Sequence, residues 1–88
     1  MSTFVLDEVL MKVEAAPRSA TALVLYALVN TLEREQAGCL FKLTKLRDLD
    51  AEGRELAYRL MELMAEGGNR GERWEAAKAR LDELVRSG

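Results

Sequence analysis

The chain contains no histidine, one cysteine and one proline among its 88 residues. Without histidine it lacks the commonest general base and the commonest metal ligand. The lone cysteine, Cys39, excludes an internal disulfide and a zinc site built from cysteine and histidine. A single thiol also fits a reducing compartment. We therefore expect a cytoplasmic protein that is not an enzyme and that uses no metal and no cofactor.

Glycine, aromatic residues and excess charge are also scarce. Six glycines leave few breaks between helices, and a net charge of −2 provides no basic surface for nucleic acid or for an anionic membrane. With 49% hydrophobic and 32% charged residues, the composition is that of a globular protein. It disfavours disorder, nucleic-acid binding and membrane binding.

A long hydrophobic run is present, but only once, at residues 20–29 (A-T-A-L-V-L-Y-A-L-V). It is about half of the roughly 20 residues that a membrane span requires. The acidic residues Asp7, Glu8 and Glu14 before it argue against a secretion signal. A helix that is apolar on all sides must be enclosed, and a chain this short has little material for that. The run therefore predicts a homodimer, with an interface at Leu25, Tyr26, Val29 and Leu32.

Hydrophobic spacing and capping residues predict two helices in the first half of the chain. The first begins at about Thr3 and ends at Ala15, because the residue before Pro17 avoids helical conformation. The second follows the cap residue Ser19 and runs to about Gln36. The inward face of the first helix consists of Leu6, Val9, Leu10 and Val13.

The second half of the chain predicts two further helices and one ambiguous segment. Residues 39–49 favour a helix, although a strand is not excluded over 41–46. Asp50 is the expected cap of the third helix, which ends at Gly67 and Gly68. Asn69 stands three residues before Glu72, as in a capping box that opens the fourth helix.

The faces of these last helices follow from the same spacing. The fourth helix directs Trp74, Ala77, Leu81, Leu84 and Val85 inward. Ion-pair spacing on exposed faces occurs at Glu55–Arg59, Lys78–Asp82 and Asp82–Arg86. Together, residues 1–88 predict one all-α domain, a small bundle of about four helices that we expect to be dimeric.

Two groups of residues are candidates for binding. Tyr58, Met61, Met64 and Trp74 either form an adaptable groove for a partner helix or belong to the core. The loop E-G-G-N-R-G opens a helix, so Asn69, Arg70 and Arg73 form a candidate anion site. The loop lacks the glycine spacing of phosphate-binding motifs and follows a helix, not a strand.

The resulting functional prediction is a non-enzymatic protein that acts by protein–protein contact, as an accessory subunit, adaptor or regulator. The alternative is a dimeric, helix-turn-helix-like DNA-binding regulator that uses residues 39–66. Its contacts would come from Arg54, Arg59, Lys42, Lys45 and Arg47. Four glutamates on the same third helix, at positions 52, 55, 62 and 66, would repel phosphates and disfavour this alternative.

Overall fold

Four α-helices and one 3-10 helix form the fold in a computed structural model, which describes residues 4–33 and 43–87. The α-helices are α1 (Val5–Ala15), α2 (Ala20–Glu33), α3 (Ala51–Ala65) and α4 (Glu72–Ser87), and the 3-10 helix is Leu43–Asp48. The predicted all-α class is confirmed. These residues contain no strand, so the strand alternative is wrong for 43–46. Residues 41 and 42, to which that ambiguity also applied, lie outside the described ranges, as do residues 39 and 40 of the predicted helix.

The boundaries of α1 follow from its flanking residues. Phe4 is the N-cap, so α1 begins later than the predicted start at Thr3, which lies outside the described residues. The helix ends at Ala15, ahead of Pro17, as predicted. Its inward side consists of Val5, Leu6, Val9 and Val13, all buried.

Helix α2 is enclosed by the rest of the same chain. Its start is confirmed, because the backbone N–H of Ala22 donates to Ser19 Oγ at 3.0 Å. The helix contacts α1, the 3-10 helix, α3 and α4. Four other elements therefore cover most of its apolar surface, and Leu23 remains 47% exposed. The predicted end of this helix at Gln36 lies outside the described residues.

Helix α3 begins at its predicted cap and crosses α2 closely. The N–H of Gly53 donates to Asp50 Oδ1 at 2.7 Å, which satisfies one of the free amides of the first turn. A Cβ atom at Gly53 would lie 2.8 Å from Thr21 Cγ2, so the missing side chain permits the crossing. At the other end, Gly67 has a φ of 76°, and the amides of Gly67 and Gly68 close a Schellman turn.

Helix α4 begins differently from the prediction. Gly71, with a φ of 93°, immediately precedes Glu72, and its carbonyl accepts from Glu75 N at 2.9 Å. Gly71 therefore occupies the cap position, and the capping box at Asn69 is wrong. Asn69 is buried instead, and its Nδ2 donates to the carbonyl of Leu32 at 2.7 Å. This bond ties the loop before α4 to the last described turn of α2.

The core lies where the inner sides of the four α-helices meet. Its largest fully buried side chains are Trp74, Leu6, Leu25, Leu60, Leu81, Val9, Val13 and Val29. Trp74, Ala77 and Leu81 point inward as predicted, with Leu84 and Val85 half-buried. No helix in the described ranges has both the length and the apolar character needed to cross a bilayer.

Candidate protein-contact surface

Three of the four predicted interface residues of α2 lie in the core of a single chain. Leu25 and Val29 have no exposed surface, and Leu32 is 5% exposed. Tyr26 is half-buried and faces α4. The prediction of a second chain at this helix rests on the need to bury its apolar side chains. The rest of the same chain already buries most of them. The residues exposed elsewhere on the surface are consequently the ones available to a partner.

A polar network between α2 and α4 explains the position of Tyr26. Its hydroxyl donates to Asp82 Oδ1 at 2.6 Å, and Lys78 Nζ donates to the same oxygen at 2.6 Å. Lys78 also lies 3.7 Å from a carboxylate oxygen of Glu33. The predicted pairing of Lys78 with Asp82 is thus present, but its placement on an exposed face is wrong, because Lys78 is only 8% exposed.

The network changes the acidity of two of its members. The hydrogen bond to Asp82, followed by burial, raises the pKa of Tyr26. Burial alone would raise the pKa of Asp82, but hydrogen bonds from Lys78 and Tyr26 outweigh it, so that the pKa of Asp82 is lowered. Each polar group here has a charged or hydrogen-bonding partner, which is the arrangement of a structural contact between helices.

Two ion pairs connect α1 to the side of α3. Arg59 forms a two-pronged hydrogen bond with Glu8, one arm being Nη1 to Oε1 at 2.9 Å. Lys12 Nζ lies 3.0 Å from Asp50 Oδ2. The predicted pairing of Arg59 within its own helix missed Glu8, because the contact joins residues 51 positions apart. Together, these pairs hold one side of α3 against α1.

The charges of these ion pairs shift the pKa values of the groups involved. The hydrogen bonds from Arg59 lower the pKa of Glu8, and those bonds in turn raise the pKa of Arg59. The backbone N–H of Gly53, followed by Lys12, lowers the pKa of Asp50. The bond to Asp50 raises the pKa of Lys12. All four groups are therefore held in their charged forms at neutral pH.

The predicted partner groove separates into a core residue and a surface. Trp74 is 2% exposed and belongs to the core, whereas Tyr58 is 54% exposed. Met61 is half-buried beside Tyr58, and Met64 is 36% exposed. We define the α3 outer face as the surface of Ala51, Arg54, Tyr58, Met61, Glu62 and Ala65. Apart from Met61, all of these residues are exposed.

The predicted anion residues do not converge on one site. Asn69 is used in its bond to Leu32, and Arg70 is exposed. Arg73 turns toward α1, where its guanidinium lies 4.5 Å from the centre of the Phe4 ring and 3.4 Å from Asp7. Arg73 instead borders an open cleft of about 330 Å³ that is also lined by Glu62 and Glu66. Asn69 and Arg70 line one cleft of about 370 Å³ and Arg73 lines the other, so the three side chains do not share a site.

The basic residues of the DNA-binding alternative differ in whether a carboxylate already engages them. Arg59 is engaged by Glu8, and Lys45 lies 3.7 Å from Asp48. Arg47 and Arg54 are exposed, while Lys42 lies outside the described residues. Within residues 39–66, the segment before α3 contains a 3-10 helix of six residues.

Sequence reasoning missed two features that position α3, namely the pairing role of Glu8 and the close crossing at Gly53, and one that positions α4, namely the burial of Lys78 against α2. The sequence contains a local indicator for Gly53, because this poor helix former stands three residues after the cap in a segment of otherwise good helix formers. It contains none for Glu8 or for the burial of Lys78, because Arg59, which pairs with Glu8, and Tyr26 and Glu33, which lie beside Lys78, are distant in the chain. Within the described ranges, no group of three or more acidic or thiol side chains could hold a metal ion.

Comparison with family models, curated proteins and solved structures finds no match to this chain. The function proposed below therefore rests on the chain's own residues.

Proposed function

We propose that the protein acts by protein–protein contact and that the α3 outer face is its docking surface. The observation that carries the proposal is the exposure of Tyr58, an aromatic side chain at the centre of this face that remains 54% exposed. Tyrosine, methionine and arginine are enriched in the buried centres of protein interfaces. Met61 and Arg54 flank Tyr58 on the same helix.

The other large exposed apolar side chains provide a contrast. Met11 is 73% exposed on α1 and Leu23 is 47% exposed on α2. Single exposed apolar residues are common on protein surfaces. Among the described residues, the α3 outer face combines an exposed aromatic ring with a neighbouring methionine and an exposed arginine. That combination supports a docking surface there and makes Met11 a suitable control position.

The structural support for α3 agrees with this role. The ion pairs from Glu8 and Lys12, together with the close crossing at Gly53, fix the helix from behind. A helix held in this way presents its outer side chains without a large entropic penalty on binding. As part of the same proposal, the protein is a non-enzymatic, dimeric adaptor or regulator in the cytoplasm.

The proposal is tested by placing a photoreactive phenylalanine derivative at position 58 of the full chain in its own host. We expect a reproducible covalent adduct with one polypeptide, which is either a second copy or another protein. The same group at position 11 serves as the control and should give little adduct. Introducing Ala65→Arg on the same face should remove the adduct.

Equal adduct yields at positions 58 and 11, or none at position 58, would contradict the proposal. An adduct at position 58 that survives Ala65→Arg would contradict the inclusion of Ala65 in the docking surface. Circular dichroism of each variant checks that the helices are retained, which we expect because the substituted side chains are exposed.

A further inference from the structure

The exposed charges along α3 differ on the two sides of Tyr58. At about 100° per residue, Glu62 lies roughly 40° to one side of Tyr58. Glu55 and Glu66 lie farther round on that same side, at roughly 60° and 80°. Arg54 lies roughly 40° to the other side. All of these residues are exposed, and we define the acidic flank as Glu55, Glu62 and Glu66.

The carboxylates of the acidic flank form no ion pair with any basic side chain of the described residues. Arg59 and Arg73 share a cleft with this flank, but carboxylates of α1 already engage both guanidinium groups. The flank is therefore a source of negative charge that the described part of the chain does not neutralise.

The acidic flank is also unfavourable for the helix that carries it. The C-terminal end of a helix has partial negative charge, which basic residues normally offset. The last turn of α3 contains no basic residue. Glu62 and Glu66 stand there four positions apart, where like charges repel each other. A cation supplied by a partner would relieve both effects.

Apolar surface lies directly beside these carboxylates. The open cleft of about 330 Å³ is lined by Phe4, Val5 and Leu63, together with Glu62 and Glu66 of the acidic flank. Lysine and arginine side chains combine an apolar stem with a charged end. Such a side chain matches this lining, because its stem can cover the apolar groups while its charge meets the carboxylates.

We propose that the occupant of the α3 outer face is a segment of a different protein that carries apolar and basic side chains. This inference rests on the proposed docking function of that face. The segment packs its apolar side chains on Tyr58 and Met61 and directs its basic side chains to the acidic flank. The exposed ring of Tyr58 also attracts a cation.

A second copy of the chain is a poorer match to this face. In an antiparallel pair of α3 helices, residues stay on their own side of the contact, so Glu55 of one copy would lie opposite Glu62 of the other. Like charges placed across an interface oppose association. A basic segment places the opposite charge at the same positions.

Fluorescence anisotropy with the full chain tests the charge requirement. The probe is a labelled synthetic helix of leucine and lysine about as long as α3, and its control contains glutamate in place of each lysine. We expect the lysine peptide to bind at least about tenfold more tightly than the glutamate peptide. Its binding should weaken as the salt concentration rises.

Charge reversal places that binding on the acidic flank. The double variant Glu62→Arg, Glu66→Arg should bind the lysine peptide at least about tenfold more weakly. The matched control is Glu14→Arg, Glu75→Arg, which makes the same change of net charge at exposed positions outside α3. It should bind within about twofold of the wild type. Circular dichroism checks that both variants keep their helices.

The cross-link from position 58 identifies the natural segment. Mass spectrometry of the adduct should find lysine or arginine within about one helical turn of the linked residue. The Glu62→Arg, Glu66→Arg pair of substitutions should remove this adduct, whereas the Glu14→Arg, Glu75→Arg pair should retain it.

Three results would overturn the basic partner. They are equal binding of the two peptides, a Glu62→Arg, Glu66→Arg chain that binds the lysine peptide like the wild type, and a cross-linked segment without basic residues. A cross-link to a second copy would also overturn it, although the docking function would stand. If position 58 gives no adduct, the docking function itself fails.

Discussion

At the crossing of α2 and α3, the hydrogen atom of Gly53 occupies a space that a methyl group would overfill. A Cβ atom there would lie 2.8 Å from Thr21 Cγ2 and 3.0 Å from Asp50 Oδ1. Thr21 is buried and β-branched, so it has little freedom to move away. Two opposing effects therefore act on any substitution at Gly53, namely crowding against α2 and the better helix propensity of other residues.

We predict that Gly53→Ala destabilises the protein by about 1 kcal/mol, because crowding of roughly 1–3 kcal/mol exceeds a propensity gain of about 1 kcal/mol. Thr21→Ser removes the obstructing methyl group and keeps the hydroxyl that accepts a hydrogen bond from Asp50 N. In that background, Gly53→Ala should lose at least half of its effect. Urea unfolding of the four chains measures this coupling. Equal effects in both backgrounds would show that Thr21 is not the obstruction.

At the scale of elements, the sequence was most informative where a helix begins or ends. The caps Ser19 and Asp50 and the stop at Pro17 involve residues within a few positions of one another, so local spacing reveals them. Asn69 was assigned wrongly because its partner, the carbonyl of Leu32, is 37 positions away. Similarly, the half-buried Tyr26 and buried Lys78 follow from how α2 and α4 pack, which no local pattern contains.

The largest revision concerns α2, whose apolar surface predicted a second chain. The sequence pattern shows how much of a helix surface is apolar and must be buried. It does not show whether the same chain or a second chain buries that surface. In the structure, four other elements of the same chain cover most of α2 and leave the side that carries Leu23 exposed. The surface available to partners was consequently harder to predict, because the exposed Tyr58 and the core residue Trp74 are both aromatic residues on amphipathic helices.

Two substitutions on α2 distinguish its inner side from its outer side. We predict that Val29→Glu unfolds the chain or leaves it barely stable, since burying a carboxyl group without a partner, charged or protonated, costs several of the roughly 4–13 kcal/mol of stability expected at this length. Leu23→Glu, on the exposed side of the same helix, should change stability by less than about 0.5 kcal/mol. Thermal unfolding followed by circular dichroism compares them. A Val29→Glu chain as stable as the wild type would contradict the placement of Val29 in the core.

Across the whole molecule, acidic side chains supply many of the polar contacts between helices. Glu8 joins α1 to α3, Asp50 caps α3 and contacts Lys12 of α1, and Asp82 joins α4 to Tyr26 of α2. The pKa of each of these three carboxyl groups is lowered in the folded chain. While these groups titrate, the folded state therefore binds fewer protons than the unfolded state. The free energy of unfolding consequently decreases as the pH is lowered below about 5.

The variant Glu8→Gln isolates one part of this acid sensitivity. At pH 7 it should be less stable than the wild type, because the paired hydrogen bonds to a charged carboxylate are lost. The difference should narrow as the pH falls below about 5 and close once Glu8 is protonated in the wild-type chain. Urea midpoints measured from pH 7 to pH 2.5 follow it. Glu66→Gln, which removes an exposed carboxylate near the end of α3, should show little difference at any pH. A gap between Glu8→Gln and wild type that does not change with pH would mean that the ionised form of Glu8 does not stabilise the packing of α1 on α3.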